Sequence, residues 1–239
     1  MGKKRSGFRP VKFILKWLLL LLIASMVYVV ICKWVMPPIT ITQISSVMSG
    51  HGMKRDYVEW GELSPNLKLA AIASEDQLFP DHQGFDWKAI EKSMDDKPAR
   101  KKKKRAKGAA ASTISQQVAK NVFLWQGSGW GRYVRKAPEA FYTAMIELVW
   151  GKQRILEVYL NVIETGPGIF GAEAAARAYF NKPAAQLTRQ EAAMIIACLP
   201  NPKKFTVKPV SRRVSWRTPG ILKQMRFIEG DPEVRALVK

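Results

Sequence analysis

The distribution of apolar and polar positions divides the chain into three regimes. Residues 13–36 are almost wholly apolar and carry charge only at Lys16 and Lys33, near the two ends. A run of that length spans a bilayer as one helix of about twenty residues, and a lysine near either end can carry its ammonium to the interface. Residues 37–53 form a short connector with β-branched residues, read as one strand or an extended approach to the membrane. From residue 64 onward helical spacing dominates. Ser64 is a plausible N-cap with Pro65 at the first helical position, ahead of the apolar run at 67–73. Residues 86–94 have helical spacing, and Ser112 or Thr113 caps a helix running to Asn121. Residues 135–150 form an amphipathic helix with Ala140, Ala144 and Leu148 on one face and Glu139 and Glu147 off it. Helix continues over 151–164 and again over 172–180. Leu187, Thr188 and Glu191 make a capping box with a hydrophobic residue before the cap, opening a helix that Pro200 closes. No stretch shows a series of alternating strands and no long repeat occurs, so the expected fold is mainly α. The expected organisation is a basic tail at 1–12, a transmembrane helix at 13–36, a connector at 37–57 and one soluble domain at 58–239.

Charge sharpens this picture. A formal net charge of +20 on 239 residues predicts attraction to a polyanion, whether nucleic acid, an anionic membrane surface or a phosphorylated substrate. Lys3, Lys4, Arg5, Arg9 and Lys12 precede the apolar run, which by the positive-inside rule leaves the N-terminus in the cytoplasm and the rest of the chain on the other side. Trp17 and Trp34 sit near the two edges like an aromatic belt. The rival reading, a cleaved signal peptide, needs a shorter apolar core and a small-x-small site, whereas this run ends in Trp34-Val35-Met36-Pro37-Pro38. That topology argues against nucleic acid as the partner. The basic run KPARKKKKRAK at 97–107 then reads as a contact for anionic lipid head groups or as a plain surface loop. Cys32 in the span and Cys198 in the soluble part make an unsuitable disulfide pair, and no Cys and His pattern builds a zinc site.

The densest chemistry lies at residues 75–86, EDQLFPDHQGFD, which hold four acidic side chains and one of the two histidines. Glu75 and Asp76 fall where the preceding helix gives out and the chain turns at Pro80 and Gly84. A carboxylate there can be half desolvated by the core behind it, the setting of a general base. Taken alone, the same cluster also fits a solvated turn.

Four further blocks follow in order: STISQQVAKN from Ser112, RKAPEAFYTAMIE from Arg135, KQRILEVYLNVIETGPGIFGAEAAARAYFNK from Lys152 and LTRQEAAMIIACLPNP from Leu187. Together the five blocks closely resemble the peptidoglycan glycosyltransferase family, over residues 58–205. With one anchor and no room for a transpeptidase domain, the chain looks like a monofunctional member. The resemblance implies a lysozyme-like helical domain. It also implies an inverting transfer that joins a lipid-diphosphate-linked glycan to the 4-hydroxyl of a lipid II acceptor, making a β-1,4 bond. By the same resemblance Glu75 is the base, and Lys120, Arg135 and Lys136, with Lys152, hold the diphosphate. Asp76, His82, Ser112, Thr113, Gln116, Gln117 and Asn121 match polar positions of the family's motifs. Glu157 is the implied second carboxylate, expected to line the same cleft, with an ordinary salt-bridge role as its bland alternative. Diphosphate is a good leaving group, so the chemistry asks for preorganised cations and N–H donors rather than an acid. No cofactor is required, although a divalent ion such as Mg²⁺ bridging the diphosphate fits the chemistry.

His82, in a turn beside Asp81 and Asp86, suits holding the loop as well as any proton transfer. Gly166, Gly168 and Gly171 suit backbone turns. Ser115 and Gln153 depart slightly from the family pattern. Phe79, Phe85, Trp87, Phe123, Leu124 and Trp125 are candidates for dipping into the membrane interface, with core packing as the alternative. Two other classes stay open: a lytic glycosidase on a similar fold, which would use water as acceptor and need no diphosphate-binding cations, and a non-catalytic scaffold recruiting cell-wall synthesis or division proteins.

Overall fold

A computed structural model describes residues 10–95, 112–125 and 130–239. Its first element, α1 (Pro10–Ile31), is the apolar run, and it is long and apolar enough to cross a membrane. The helix ends at Ile31 rather than at residue 36, so Trp34 lies beyond it and is exposed. The middle of the connector is not extended. It forms α2 (Ile41–Met48), because Thr40 accepts from the Gln43 N–H while the Gln43 side chain accepts from the Thr40 N–H. Two reciprocal cap bonds outweigh the modest β preference of the Ile and Val residues.

Ser64 caps α3 (Pro65–Glu75) as expected, accepting from Asn66. The helix buries Leu67, Ala70, Ala71, Ile72 and Ala73, so its C-terminal end delivers Glu75 and Asp76 out of a packed core. After α4 (Trp87–Asp95), α5 (Ile114–Phe123) is capped by Thr113 in a capping box with Gln116. A short turn of helix, α6 (Gly131–Val134), leads into α7 (Lys136–Val149). Gly151, with φ +76, separates α7 from α8 (Lys152–Val162). The basic run at 97–107 and most of the Gly-rich turn at 127–131 lie outside the described residues.

The orientation of α7 differs from expectation. It buries Glu139, Thr143 and Ile146, while Leu148 is 82% exposed and Ala140 and Ala144 face outward. The polar row turns inward because Arg135 and Lys136 both reach the Glu139 carboxylate. A paired buried charge is tolerable where an unpaired one is not.

A small sheet was not anticipated. β1 (Lys54–Arg55) runs parallel to β3 (Ile169–Phe170), which pairs antiparallel with β2 (Glu164–Gly166), in the order β1-β3-β2. Strands of two and three residues leave no alternation to detect. Gly171, with φ +85, then starts α9 (Ala172–Phe180), and a side chain there would put its Cβ 2.5 Å from the Asn161 carbonyl oxygen. α10 (Arg189–Cys198) opens at the Thr188 capping box and is followed by α11 (Arg212–Ile228) and α12 (Pro232–Val238). α11 buries Val214, Thr218, Ile221 and Met225. That helical spacing is readable in the sequence but diluted by four arginines and Pro219. α3, α10 and α11 pack against one another, and α5 packs on α7 and α8. Their shared core contains Ile72, Val118, Ile155, Tyr159 and Ile196, none more than 1% exposed.

Candidate active site

Glu75 stands at the C-terminal end of α3, and both of its carboxylate oxygens are engaged. Gln117 Nε2, from α5, donates to Oε2 at 3.1 Å. The Ser74 hydroxyl donates to Oε1 at 3.3 Å, and Arg217, from α11, reaches Oε1 at 3.7 Å while donating to the Ser74 hydroxyl at 2.9 Å. Gln117 is itself oriented, because its Oε1 accepts from the Tyr159 hydroxyl at 3.4 Å and its Nε2 also donates to the Ser112 carbonyl. Burial, reinforced by Glu75 and Asp76, pushes the Tyr159 phenol well above its ordinary value, so it stays a donor.

Asp76 does different work beside it. Its carboxylate takes His82 Nε2 at 2.9 and 3.0 Å and accepts the Ile114 N–H at 2.9 Å, at the start of α5. Gly84 N–H donates to His82 Nδ1 at 3.0 Å, which assigns the ring proton to Nε2 and makes His82 the donor to Asp76. Thr113 adds a bond from its hydroxyl to the Gly84 carbonyl at 2.7 Å. A Cβ on Gly84 would lie 2.7 Å from Thr143 Cγ2. Asp76, His82 and Thr113 therefore clamp the 75–86 loop to α5, and Gln116 is spent in the Thr113 capping box. Lys152 also serves this clamp: its ammonium donates to the His82 carbonyl and to Glu147 and lies 4.7 Å from the Phe79 ring centroid.

The positive wall is built from α5 and the start of α7. Burial holds Lys120 below the ordinary lysine value and Arg135 pushes it the same way. Glu139 opposes, Lys136 adds to the depression, and Glu75 opposes. These residues thus form one electrostatic group. Lys136 donates to Glu139 at 2.6 Å. Arg135 Nε lies 3.2 Å from Glu139 in a geometry that makes no hydrogen bond, while its Nη1 donates to the Trp125 carbonyl at 2.7 Å. Lys120, Gln117, Asn121 and Tyr159 line a cavity of about 340 Å³ together with Thr42, Glu164 and Lys203.

Glu157 is held elsewhere. It is two residues from Tyr159, so the two side chains leave α8 about 200° apart. Its carboxylate pairs with Arg154 at 2.7 Å, and it is the charged neighbour that opposes the depression of Lys68. The glutamate grouped with the cleft cations is Glu139.

Beyond this geometry, residues 41–226 match the family model described as Transglycosylase. The chain belongs to the transglycosylase family. Among its relatives, the biosynthetic peptidoglycan transglycosylase of Pectobacterium carotovorum is 49% identical over 197 residues, which is 81% of this chain and 78% of that protein. The protein of the same name from Escherichia coli is 51% identical over 177 residues, 74% of this chain and 70% of the relative. That of Xanthomonas campestris is 41% identical over 239 residues, covering 97% and 94%. The transglycosylase match begins at residue 41, so it takes in α2, read from the sequence as connector, and it reaches past Arg217.

Two residues of this transglycosylase site escape sequence reasoning. Glu139 stood four residues after Arg135 within a quoted block, and that i, i+4 spacing signals an ion pair. Arg217 had no local signal, since its partner is 142 positions away on another helix. Of the apolar residues considered for the interface, Phe79 and Leu124 are buried and Phe123 stacks on Tyr142 at 4.8 Å, whereas Trp87 and Trp125 are exposed. Trp130 and Tyr133 join them at the surface.

Proposed function

We propose that the chain polymerises lipid II into β-1,4-linked glycan and releases polyprenyl diphosphate, working from a single-pass anchor with its N-terminus in the cytoplasm and its cleft on the outer face of the membrane. Membership of the transglycosylase family gives the reaction class, glycan polymerisation in peptidoglycan synthesis. The observation that carries the finer reading is the juxtaposition of a carboxylate held at both oxygens with a cluster of three cations, of which Arg135 is buried, Lys120 partly buried and Lys136 half-exposed. In this reading Glu75 takes the proton from the 4-hydroxyl of the acceptor as that oxygen bonds to the anomeric carbon of the donor. The bond from that carbon to the diphosphate breaks, and the electron pair leaves with the diphosphate. Lys120, Arg135 and Lys136 hold the departing charge, stabilisation that is worth most in a preorganised and partly dry site. Glu139, rather than Glu157, is the second carboxylate of the cleft and spaces the cations. Asp76, His82 and Lys152 keep the loop that carries Glu75 in register with α5.

A substrate whose tail stays in the bilayer favours an anchored enzyme, because tethering raises the effective concentration. The cation cluster disfavours a lytic glycosidase, which has no diphosphate to hold. The test is polymerisation of fluorescent lipid II by the purified full-length protein, beside Glu75→Gln. Long glycan from wild type is expected. The variant should lose about two to four decades of rate with an unchanged melting temperature. A folded wild type that makes no polymer would sink the reading, and shortening of preformed glycan would point to lysis instead.

A further inference from the structure

A helix leaves its last four carbonyls without partners inside the helix. At the end of α1 the Tyr28, Val30 and Ile31 carbonyls take backbone N–H groups of residues 32–35, and the Val29 carbonyl meets the catalytic domain. The Trp150 indole N–H donates to the Val29 carbonyl at 2.7 Å. Just past the helix, Arg154 donates from Nε and Nη2 to the Cys32 carbonyl at 3.1 and 3.0 Å. Val29 and Cys32 are 0% and 1% exposed, whereas the apolar side chains before them stand open along most of α1. The Tyr28 ring meets Phe123 edge-on at 5.9 Å, and Phe123 lies 6.0 Å from Trp150. A guanidinium at a helix C-terminus also suits the negative end of the helix dipole. The third edge of Arg154 is fixed by Glu157 at 2.7 Å. From Cys32 the chain needs only eight residues to reach α2, which packs on α5.

We infer that Trp150 and Arg154 form a locked joint that fixes the attitude of the domain to the bilayer, and that Arg154 is a positioning residue for polymerisation of membrane-borne substrate. The second half of this statement rests on the proposed lipid II activity. A substrate tethered in the bilayer presents its diphosphate at a set height, so a domain swinging on a loose linker would meet it in the right pose only part of the time. The joint removes that freedom. Glu157 acts through it as a strut, bracing Arg154 from α8.

The native thiol of Cys32 reports the joint directly, since docking is what covers it. The experiment uses the full-length chain in vesicles on a Cys198→Ser background, labelled with a membrane-impermeant maleimide. Cys32 should react slowly, and at least about tenfold faster in Arg154→Ala, as expected for the loss of charge-assisted hydrogen bonds. Trp150→Phe removes the indole N–H while keeping an aromatic ring at the site, so it tests the same point should Arg154→Ala fold poorly. Both variants should lose about tenfold in polymerising long-tailed lipid II in vesicles, an effective-concentration effect. A short-tailed, water-soluble analogue in detergent should be turned over as by wild type. Arg154→Lys should recover part of the vesicle activity. Labelling of wild-type Cys32 at the rate of an open thiol would overturn the joint. Equal losses on both substrates, or none on either, would overturn the positioning role. If wild type turns over neither substrate, it is the polymerase reading that fails, and the labelling still decides the joint.

Discussion

Glu75 and Glu157 make an instructive pair. Each sits on a helix beside an arginine, and each side chain is 14% exposed, so neither residue type nor burial tells them apart. Their partners do. Glu75 holds Arg217 at 3.7 Å, takes a neutral amide at 3.1 Å and shares the electrostatics of Lys120. Glu157 is closed onto Arg154 at 2.7 Å, and that guanidinium is in turn fastened to the end of the anchor. A carboxylate held by weak or neutral donors next to three cations that share the single carboxylate of Glu139 can receive a proton and face an anion. One locked to a cation that has other obligations acts as a strut.

The contrast can be broken in three further ways. The largest effect is expected at the cation wall. Lys120→Met should lower turnover by about two to three decades, as for removal of a preorganised charge donor, while the melting temperature holds or rises. The reason is that burial, Arg135 and Lys136 already oppose the Lys120 charge in the folded protein. A collapse in melting temperature would show Lys120 to be a structural cation instead.

Next comes Glu157→Gln. Leaving Arg154 without its carboxylate should cost about 1–3 kcal/mol in denaturant unfolding. Turnover of detergent-solubilised substrate per folded molecule should stay within about tenfold of wild type. A loss as deep as that of Glu75→Gln, with stability unchanged, would move Glu157 into the cleft.

The smallest effect sits between the two regions, at Lys68 on α3. It is 1% exposed, with its ammonium 3.7 Å from the Trp60 ring centroid. Burial pushes it down to about 8, with Glu157 acting against the shift. Between that value and the ordinary lysine value the unfolded chain binds more protons than the folded one, so stability rises with pH across that window and is lowest below it. Lys68→Met should remove this slope and be the more stable protein by about 1 kcal/mol at neutral pH, the contact with Trp60 offsetting part of the burial cost. The gain should narrow toward pH 10 in melting experiments. An advantage that does not vary with pH would show that lysine titration is not its source.

The sequence by itself determined whatever depends on neighbours along the chain. The apolar run set α1, Ser64 with Pro65 set the start of α3, and the Thr113 and Thr188 caps set α5 and α10, because each cap joins a side chain to a backbone group two or three positions away. The five ordered blocks likewise pointed to the family and to Glu75. The capping box at Thr40 and Gln43 was equally local and readable, although the β-branched residues around it favoured an extended reading. What only the tertiary structure decided is which side of each helix meets which partner. One residue turns a helix by about 100°, so Glu139 rather than Ala140 faces inward and Tyr159 rather than Glu157 faces Glu75. Arg217 reaches Glu75, and Arg154 reaches Cys32, across 142 and 122 positions of chain. Contacts of that span are fixed by how helices pack, and no local pattern of side chains encodes them.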